Sequence, residues 1–216
     1  MTDAPKPVVQ ARAKRTREKL MTALEELLKE EEFERIAVTD IAKRAGVAVG
    51  SVYSHFKDKE AFLSALLADR LATLEERVDA SETLDADLMR RLFPDLRAAL
   101  HAAANSAFQQ SEADAHILRA ILTYSRLHPD ELKDPWDAMA QRAFKGVETL
   151  LGAYKDEIRR GDLDRAARMV NYFFNAIFLE RILIPGGSSL GALAPDSQAL
   201  VEGAAEMAYG YLTTED

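Results

Sequence analysis

Apolar residues recur at three- and four-residue intervals along almost the whole 216-residue chain, and no run of β-branched residues alternates with polar ones. That spacing collects apolar side chains on one stripe of an α-helix and argues against half-buried strands, so the expected fold class is all-α. Leu20, Ala23, Leu24, Leu27 and Leu28 share one face of a first helix, and Val38, Ile41, Ala42 and Ala45 repeat the pattern in a short second one. A third short helix is expected over about 49–56. The fourth starts near Asp58 and carries Leu63, Leu66, Leu67, Leu71, Leu74 and Val78. Further helices are predicted near 84–110, with a kink at Pro94, and near 113–127, 135–160, 163–184 and 196–213, about nine in all. Pro129 and Pro135 read as starts, Gly161 as a break, and 185–195 as a flexible loop.

Charge is unevenly spread. Residues 1–70 hold 13 Lys/Arg against 12 Asp/Glu, whereas 71–216 hold 15 against 24, within a net charge of −8. Such polarity suggests one end that meets phosphate and a larger end that does not, although mixed charge on solvated helix faces explains the counts equally well. The absence of cysteine excludes a disulfide framework, a thiolate metal site and a cysteine nucleophile, and it is compatible with a reducing cytoplasm. No basic segment followed by an apolar one reads as a leader, and the apolar stretch 169–179 is too short to cross a bilayer, so a cytoplasmic protein without a membrane partner is expected. No phosphate-cradling glycine loop or nucleophile elbow is found. His55, His101, His116 and His128 show no metal-binding spacing, and Asp156 and Glu157 read as solvated charge on a surface helix. Neither an enzyme nor a metal or other cofactor is expected.

The most specific stretch is 38–63, Val-Thr-Asp-Ile-Ala-Lys-Arg-Ala-Gly-Val-Ala-Val-Gly-Ser-Val-Tyr-Ser-His-Phe-Lys-Asp-Lys-Glu-Ala-Phe-Leu. It reads as a short helix, a tight turn and a second short helix. Gly46 stands where the chain leaves the first of these, at a positive φ that glycine adopts at little cost. Val47 is expected between the two helices, with Val52 and Phe56 pinning the second onto the first. The outer side of the second is small and polar: Ala48, Gly50, Ser51 and Ser54, with Tyr53 and His55. Small residues let a helix backbone approach the major-groove floor while hydroxyls reach phosphates, the layout of a helix-turn-helix. Taken singly, Tyr53 reads as a packing tyrosine, His55 as a surface histidine, and Lys57 and Lys59 as solvated lysines. Their joint spacing is what points to DNA.

This run, with the amphipathic helix before it, resembles the TetR-family signature over roughly residues 15–67. The resemblance implies a DNA-binding domain over 1–57, with a basic N-terminal arm, and a ligand-binding and dimerisation domain over 58–216. It implies that Ala48, Val49, Gly50 and Ser51 face base edges or the adjoining phosphates, and that Tyr53 and His55 meet the backbone. Lys59 would grip a phosphate at the start of the fourth helix, Thr39 and Lys57 would add contacts, and Arg12, Lys14, Arg15 and Arg17 would form the arm. The implied partners are double-stranded DNA at a palindromic operator, a second copy of the chain, and a small-molecule effector whose binding pivots the fourth helix and releases DNA. Three departures stand out. Ala37 occupies the position where the family commonly has a capping threonine, Glu30, Glu31 and Glu32 crowd the end of the first helix where a glycine is usual, and Ala48 and Val49 are apolar where bases are often read by polar groups. The last favours reading of thymine methyls or DNA shape.

In the remaining two thirds, the helix over 163–184 is apolar nearly all round, and the last helix sets Leu200, Gly203, Ala204, Met207 and Tyr211 on one stripe. With Phe174 and Phe178 these form a candidate homodimer interface; the alternative is the core of a single chain. Candidate effector contacts are His101, Asn105, Phe108, Ile121, Tyr124, Trp136, Met139, Phe173 and Ile177, an apolar or aromatic molecule being favoured. For each aromatic or methionine, plain core packing is the alternative. A regulator without ligand, an activator, and a helical protein-binding dimer with secondary DNA binding share much of this reading.

Overall fold

The computed structural model describes residues 7–82, 86–130, 132–184 and 188–215, side chains excepted at 7–10, 74, 77–82 and 135. Residues 1–6, the start of the predicted loop at 185–187, and the side chains of Leu74 and Val78 therefore lie outside the description. Among the described residues there are ten α-helices and no strand. They are α1 (Pro7–Leu28), α2 (Val38–Ala45), α3 (Val49–Tyr53), α4 (Glu60–Glu82), α5 (Ala86–Leu92), α6 (Leu96–Ala113), α7 (Ala115–Leu127), α8 (Lys133–Ala153), α9 (Leu163–Leu183) and α10 (Ser197–Thr213), with 3-10 turns at Phe33–Arg35 and Gly191–Leu193. Nine expected helices become ten because Pro94 ends a helix instead of bending one. Its ring cannot continue the ladder, and Asp95 restarts the chain as the N-cap of α6, accepting the Ala98 N–H at 2.7 Å. Asp162 and Asp196 do the same for α9 and α10, through the N–H groups of Arg165 and Ala199, and Asp58 accepts the Ala61 N–H at the start of α4.

The chain packs as two compact units. One comprises the residues up to Arg70 together with Arg119–Lys133; the other comprises Leu71–Leu118 and the residues from Asp134 onward. In the first, Leu20, Leu24, Ile41, Leu63, Leu66 and Leu67 are fully buried, so α1, α2 and the first half of α4 close one core. Burial of each such side chain contributes about 1.5–3 kcal/mol before entropy is set against it. The second half of α7 belongs to this core, with Ile121 and Tyr124 buried and Tyr124 packed edge-on against Phe33 at 6.2 Å. The packing unit thus reaches past the functional division at residue 57 that the sequence suggests.

In the second unit α6 packs against both α9 and α10, and those two pack on each other. Phe108, Leu151, Tyr154, Val170, Phe174, Phe178 and Leu212 lie in this core. The helix expected over 135–160 stops at Ala153 because residues 154–160 are engaged with other elements. Tyr154 is fully buried and donates its hydroxyl to the Phe93 carbonyl at 2.6 Å, 3.1 Å from that of Met89. Arg159 and Arg160 give a backbone and a side-chain N–H to the last carbonyls of α10, Leu212 and Tyr211, at 2.9 and 2.7 Å. Asp156 and Glu157 are not merely solvated charge: both pair with Arg90, and Glu157 accepts the Leu96 N–H at 2.9 Å. Tyr154→Phe leaves the Phe93 carbonyl without that donor, and urea unfolding is expected to show a loss of about 1–3 kcal/mol with an unchanged m-value.

Candidate nucleic-acid interface

The turn between α2 and α3 is built as the sequence predicts. Gly46 sits at φ 67°, ψ 36°, in the left-handed region. Its N–H reaches the Lys43 carbonyl and the Val47 N–H reaches that of Ala42 at 3.0 Å, which closes α2 with paired bonds and aims the chain into α3. Val52 and Phe56 are buried, Phe56 stacks on Phe62 at 3.8 Å, and Val47 is half-buried. Regular helix in α3 ends at Tyr53, earlier than the expected 56. There the Ser54 hydroxyl turns back to the Ser51 carbonyl at 2.7 Å, while the Phe56 N–H still bonds the Val52 carbonyl.

These contacts leave one face uncovered. Thr39, Ala48, Val49, Gly50, Tyr53, Ser54 and Lys57 are exposed, Tyr53 at 57%, and Ser51 and His55 are half-buried beside them. Val49 and Tyr53 thus leave apolar and aromatic surface open on a five-residue helix. Next to them runs an open groove of about 440 Å³, lined by Arg12, Thr16, Gly46, Ala48, Ser51, Ser54 and His55. Thr16 is a member that the sequence reading missed. The signal was its spacing: it lies one turn after Arg12 on the same face of α1.

The expected basic arm is not detached. Arg12, Lys14, Arg15 and Arg17 are all turns of α1. Arg12 lines the groove beside α3, Lys14 lies 4.0 Å from Glu18, and Arg17 stands 5.7 Å over the Phe56 ring. Arg15 lines a separate groove with Glu26 and Arg44. Two of the departures from the expected pattern are compensated. Ala37 offers no cap, yet Asp40 reaches back to accept its N–H at 3.0 Å, half of a capping box. Glu30 holds Arg44 of α2 in a two-toothed pair at 3.0 and 2.8 Å, so acid at the end of α1 ties α2 to it. Each partner shifts the other, Glu30 downward and Arg44 upward, chiefly through that hydrogen bond. Lys59 is half-buried, donates to the Glu34 carbonyl at 3.1 Å and lies 4.3 Å from the centre of the Phe33 ring.

The candidate effector residues do not form one group. Ile121 and Tyr124 are buried in the first unit. In the second, His101, Asn105 and Phe108 line an open groove of about 560 Å³ together with Gln109, Glu112 and Val201. Phe173 and Ile177 line another of about 330 Å³ with Ala176, Leu190 and Leu200. Trp136 and Met139 are half-buried on α8. Of the candidate dimer residues, Phe174, Phe178 and Ala204 are buried in the chain's own core. Leu200, Gly203 and Tyr211 are partly open and Met207 is 56% exposed. The open stripe on α9 consists of Met169, Tyr172, Ala176 and Leu183 instead.

A short α-helix, a left-handed glycine turn and a second helix with an uncovered face define a helix-turn-helix. Residues 20–66 match the family described as bacterial regulatory proteins, tetR family. That match runs from the later turns of α1 into α4, and it is this segment that is similar to the family. It is 28% identical over 134 residues to the HTH-type transcriptional regulator YvdT of Bacillus subtilis, covering 62% of this chain and 64% of that one. It is 33% identical over 72 residues to the A-factor receptor protein of Streptomyces griseus, covering 33% of this chain and 26% of that one. The matches therefore span less than two thirds of either relative. The fold is similar to that of FadR from Bacillus subtilis in complex with stearoyl-CoA, with a TM-score of 0.61 and 21% identity over 92% of this chain and 98% of that one. It is equally similar to NalD, the secondary repressor of the MexAB-OprM multidrug efflux pump in Pseudomonas aeruginosa, with a TM-score of 0.61 and 22% identity over 92% and 97%. Among the described residues no helix is long and apolar enough to cross a membrane.

His101 is already engaged. It donates its Nε2 hydrogen to Glu206 at 2.6 Å, and Arg97 grips the same carboxylate at 2.7 and 2.6 Å. The hydrogen bonds from Arg97 and then His101 hold the Glu206 carboxyl well below its ordinary 4.5, at about 2. A carboxyl depressed in the folded state adds stability above its unfolded pKa and loses it as pH falls toward the folded value. The stability difference between wild type and Glu206→Gln, read from urea midpoints, is thus expected to be full near neutral pH. It shrinks as the pH drops from 4.5 toward 2.

Proposed function

We propose that the protein is a transcriptional repressor that binds a palindromic operator in double-stranded DNA as a homodimer and is released by a small apolar or aromatic effector. The functional division lies near residue 57, with the DNA-binding domain before it and the effector-binding and dimerisation domain after it. The observation that carries the reading is the uncovered face of α3, where Ala48, Val49, Gly50 and Tyr53 stand open beside the groove shared with Arg12 and Thr16. Small side chains there bring the helix backbone close to base edges. Arg12, Thr39, Ser51, His55, Lys57 and Lys59 supply the phosphate contacts that fix its register. The methyls of Ala48 and Val49 suit thymine.

Dimerisation is supported by the apolar stripe on α9, where Tyr172 is 72% exposed, and by the open Met207 and partly open Gly203 on α10. Two such helices from each copy make a four-helix interface, and a two-fold pair of recognition helices matches a palindrome. The apolar groove along α9 is the better effector site, since Phe173, Ala176, Ile177, Leu190 and Leu200 line it and its few polar groups are Glu180, Arg181 and Ser188. The stearoyl-CoA bound by FadR and the repressor role of NalD agree with this reading. Lack of a membrane-crossing helix among the described residues and of cysteine suits a cytoplasmic site of action.

Selection of duplexes from a random pool, followed by salt titration of the winner, tests the proposal. A palindrome is expected, with affinity falling steeply in salt. Tyr53→Ala should weaken binding about tenfold or more, and Lys59→Ala should lower the salt slope by about one phosphate. Weak, sequence-independent binding at low salt, unchanged after unfolding and refolding to strip ligand, would contradict it and point to the helical body as the working part.

A further inference from the structure

Lys59 does not reach freely into solvent. Its ammonium is held at two points, the Glu34 carbonyl at 3.1 Å and the Phe33 ring at 4.3 Å, both on the 3-10 turn between α1 and α2. Burial lowers its pKa from the ordinary 10.5, against the opposing pull of Glu34 and Glu60. Phe33 itself is buried, and the group that packs edge-on against it is Tyr124 of α7, 6.2 Å away at an interplanar angle of 87°. Tyr124 in turn stacks on His128 at 4.3 Å. A continuous aromatic stack therefore runs from the end of α7 to the cation at the start of α4, inside one compact unit.

We propose that Tyr124 is a positioning residue for DNA binding: it fixes Phe33, and Phe33 with the Glu34 carbonyl holds Lys59 in the one place from which it meets a phosphate. The proposal rests on the DNA-binding reading above and deepens it. A lysine carries a long side chain whose ordering ordinarily counts against binding, and a seat that fixes it beforehand removes that cost. The carbonyl takes one ammonium hydrogen and leaves two for phosphate oxygens.

Two readouts test this on the full chain. The first is the titration of the Lys59 side chain, followed by NMR without DNA. Lys59 of the wild type is expected to titrate below its ordinary 10.5, Tyr124→Ala to bring it back toward that value, and Tyr124→Phe, which keeps the ring, to leave it low. Phe33→Leu fills the space without a ring face and is expected to act as Tyr124→Ala does, which keeps the test available if that variant fails to fold. The second is affinity for the selected duplex. Tyr124→Ala is expected to weaken it about two- to tenfold in a wild-type background and to have no further effect beside Lys59→Ala. An unchanged Lys59 titration in Tyr124→Ala and Phe33→Leu, or simple additivity of the two substitutions, would overturn the proposal. Failure of wild type to bind any duplex would defeat the DNA-binding reading instead, and the titration would still decide whether the seat exists.

Discussion

The left-handed turn at Gly46 is the constraint on which the candidate DNA-binding face depends. A Cβ added at that position meets nothing within 4 Å, so the requirement for glycine there is conformational, worth about 1–2 kcal/mol. By reversing the chain at φ 67° the turn lets the Val47 N–H close the end of α2 and starts α3 at the angle that buries Val52 and Phe56 together. Once those two are committed inward, helical geometry turns Gly50 outward, while Ala48, Val49 and Tyr53 flank the buried side and keep part of their surface open. The uncovered face is the geometric remainder of the core, and its chemistry is that of the small and aromatic residues left over.

Electrostatics divides the same module into a fixed side and an open side. Glu25, Glu26 and Glu30 of the α1 region pair with Arg70 and Arg44, so these cations hold helices to one another. Arg12, Lys43 and Lys57 stay exposed, and Lys59 sits between the two conditions, seated but with donors to spare. Although the chain as a whole carries −8, Glu25, Glu26, Glu30, Glu31 and Asp40 of the module are engaged with its own arginines and turns. A near-neutral module thus keeps Arg12, Lys43 and Lys57 exposed without needing a basic composition.

Local features were legible in the sequence where a single residue type has a single physical use. Gly46 at positive φ and the inward Val52 and Phe56 follow from short-range chemistry, and the break at Gly161 places the start of α9. The candidate site as a surface was also legible, because its outer residues are those the packing pattern does not use. The hidden features depend on partners distant in sequence. Glu30 reads as a misplaced acid until Arg44 comes beside it, and Asp156 and Glu157 read as solvated until Arg90 does. Pro94 is compatible with a kink or a break, and only the cap by Asp95 decides. The apolar all-round character of α9 is real, but it does not say which of its faces the chain covers itself. Phe174 and Phe178 point into the core while Met169 and Tyr172 point out. Likewise Tyr124 is one aromatic among many until it meets Phe33, the only aromatic between α1 and α2.

Whether the face opened by the Gly46 turn is the one that touches DNA is decided most directly by mapping backbone amide shifts on adding an operator duplex. The largest changes are expected at Arg12, Thr16, Thr39, Ala48–Tyr53, His55 and Lys57–Lys59. Changes confined to α9 and α10, with the α2–α3 segment silent, would contradict that assignment.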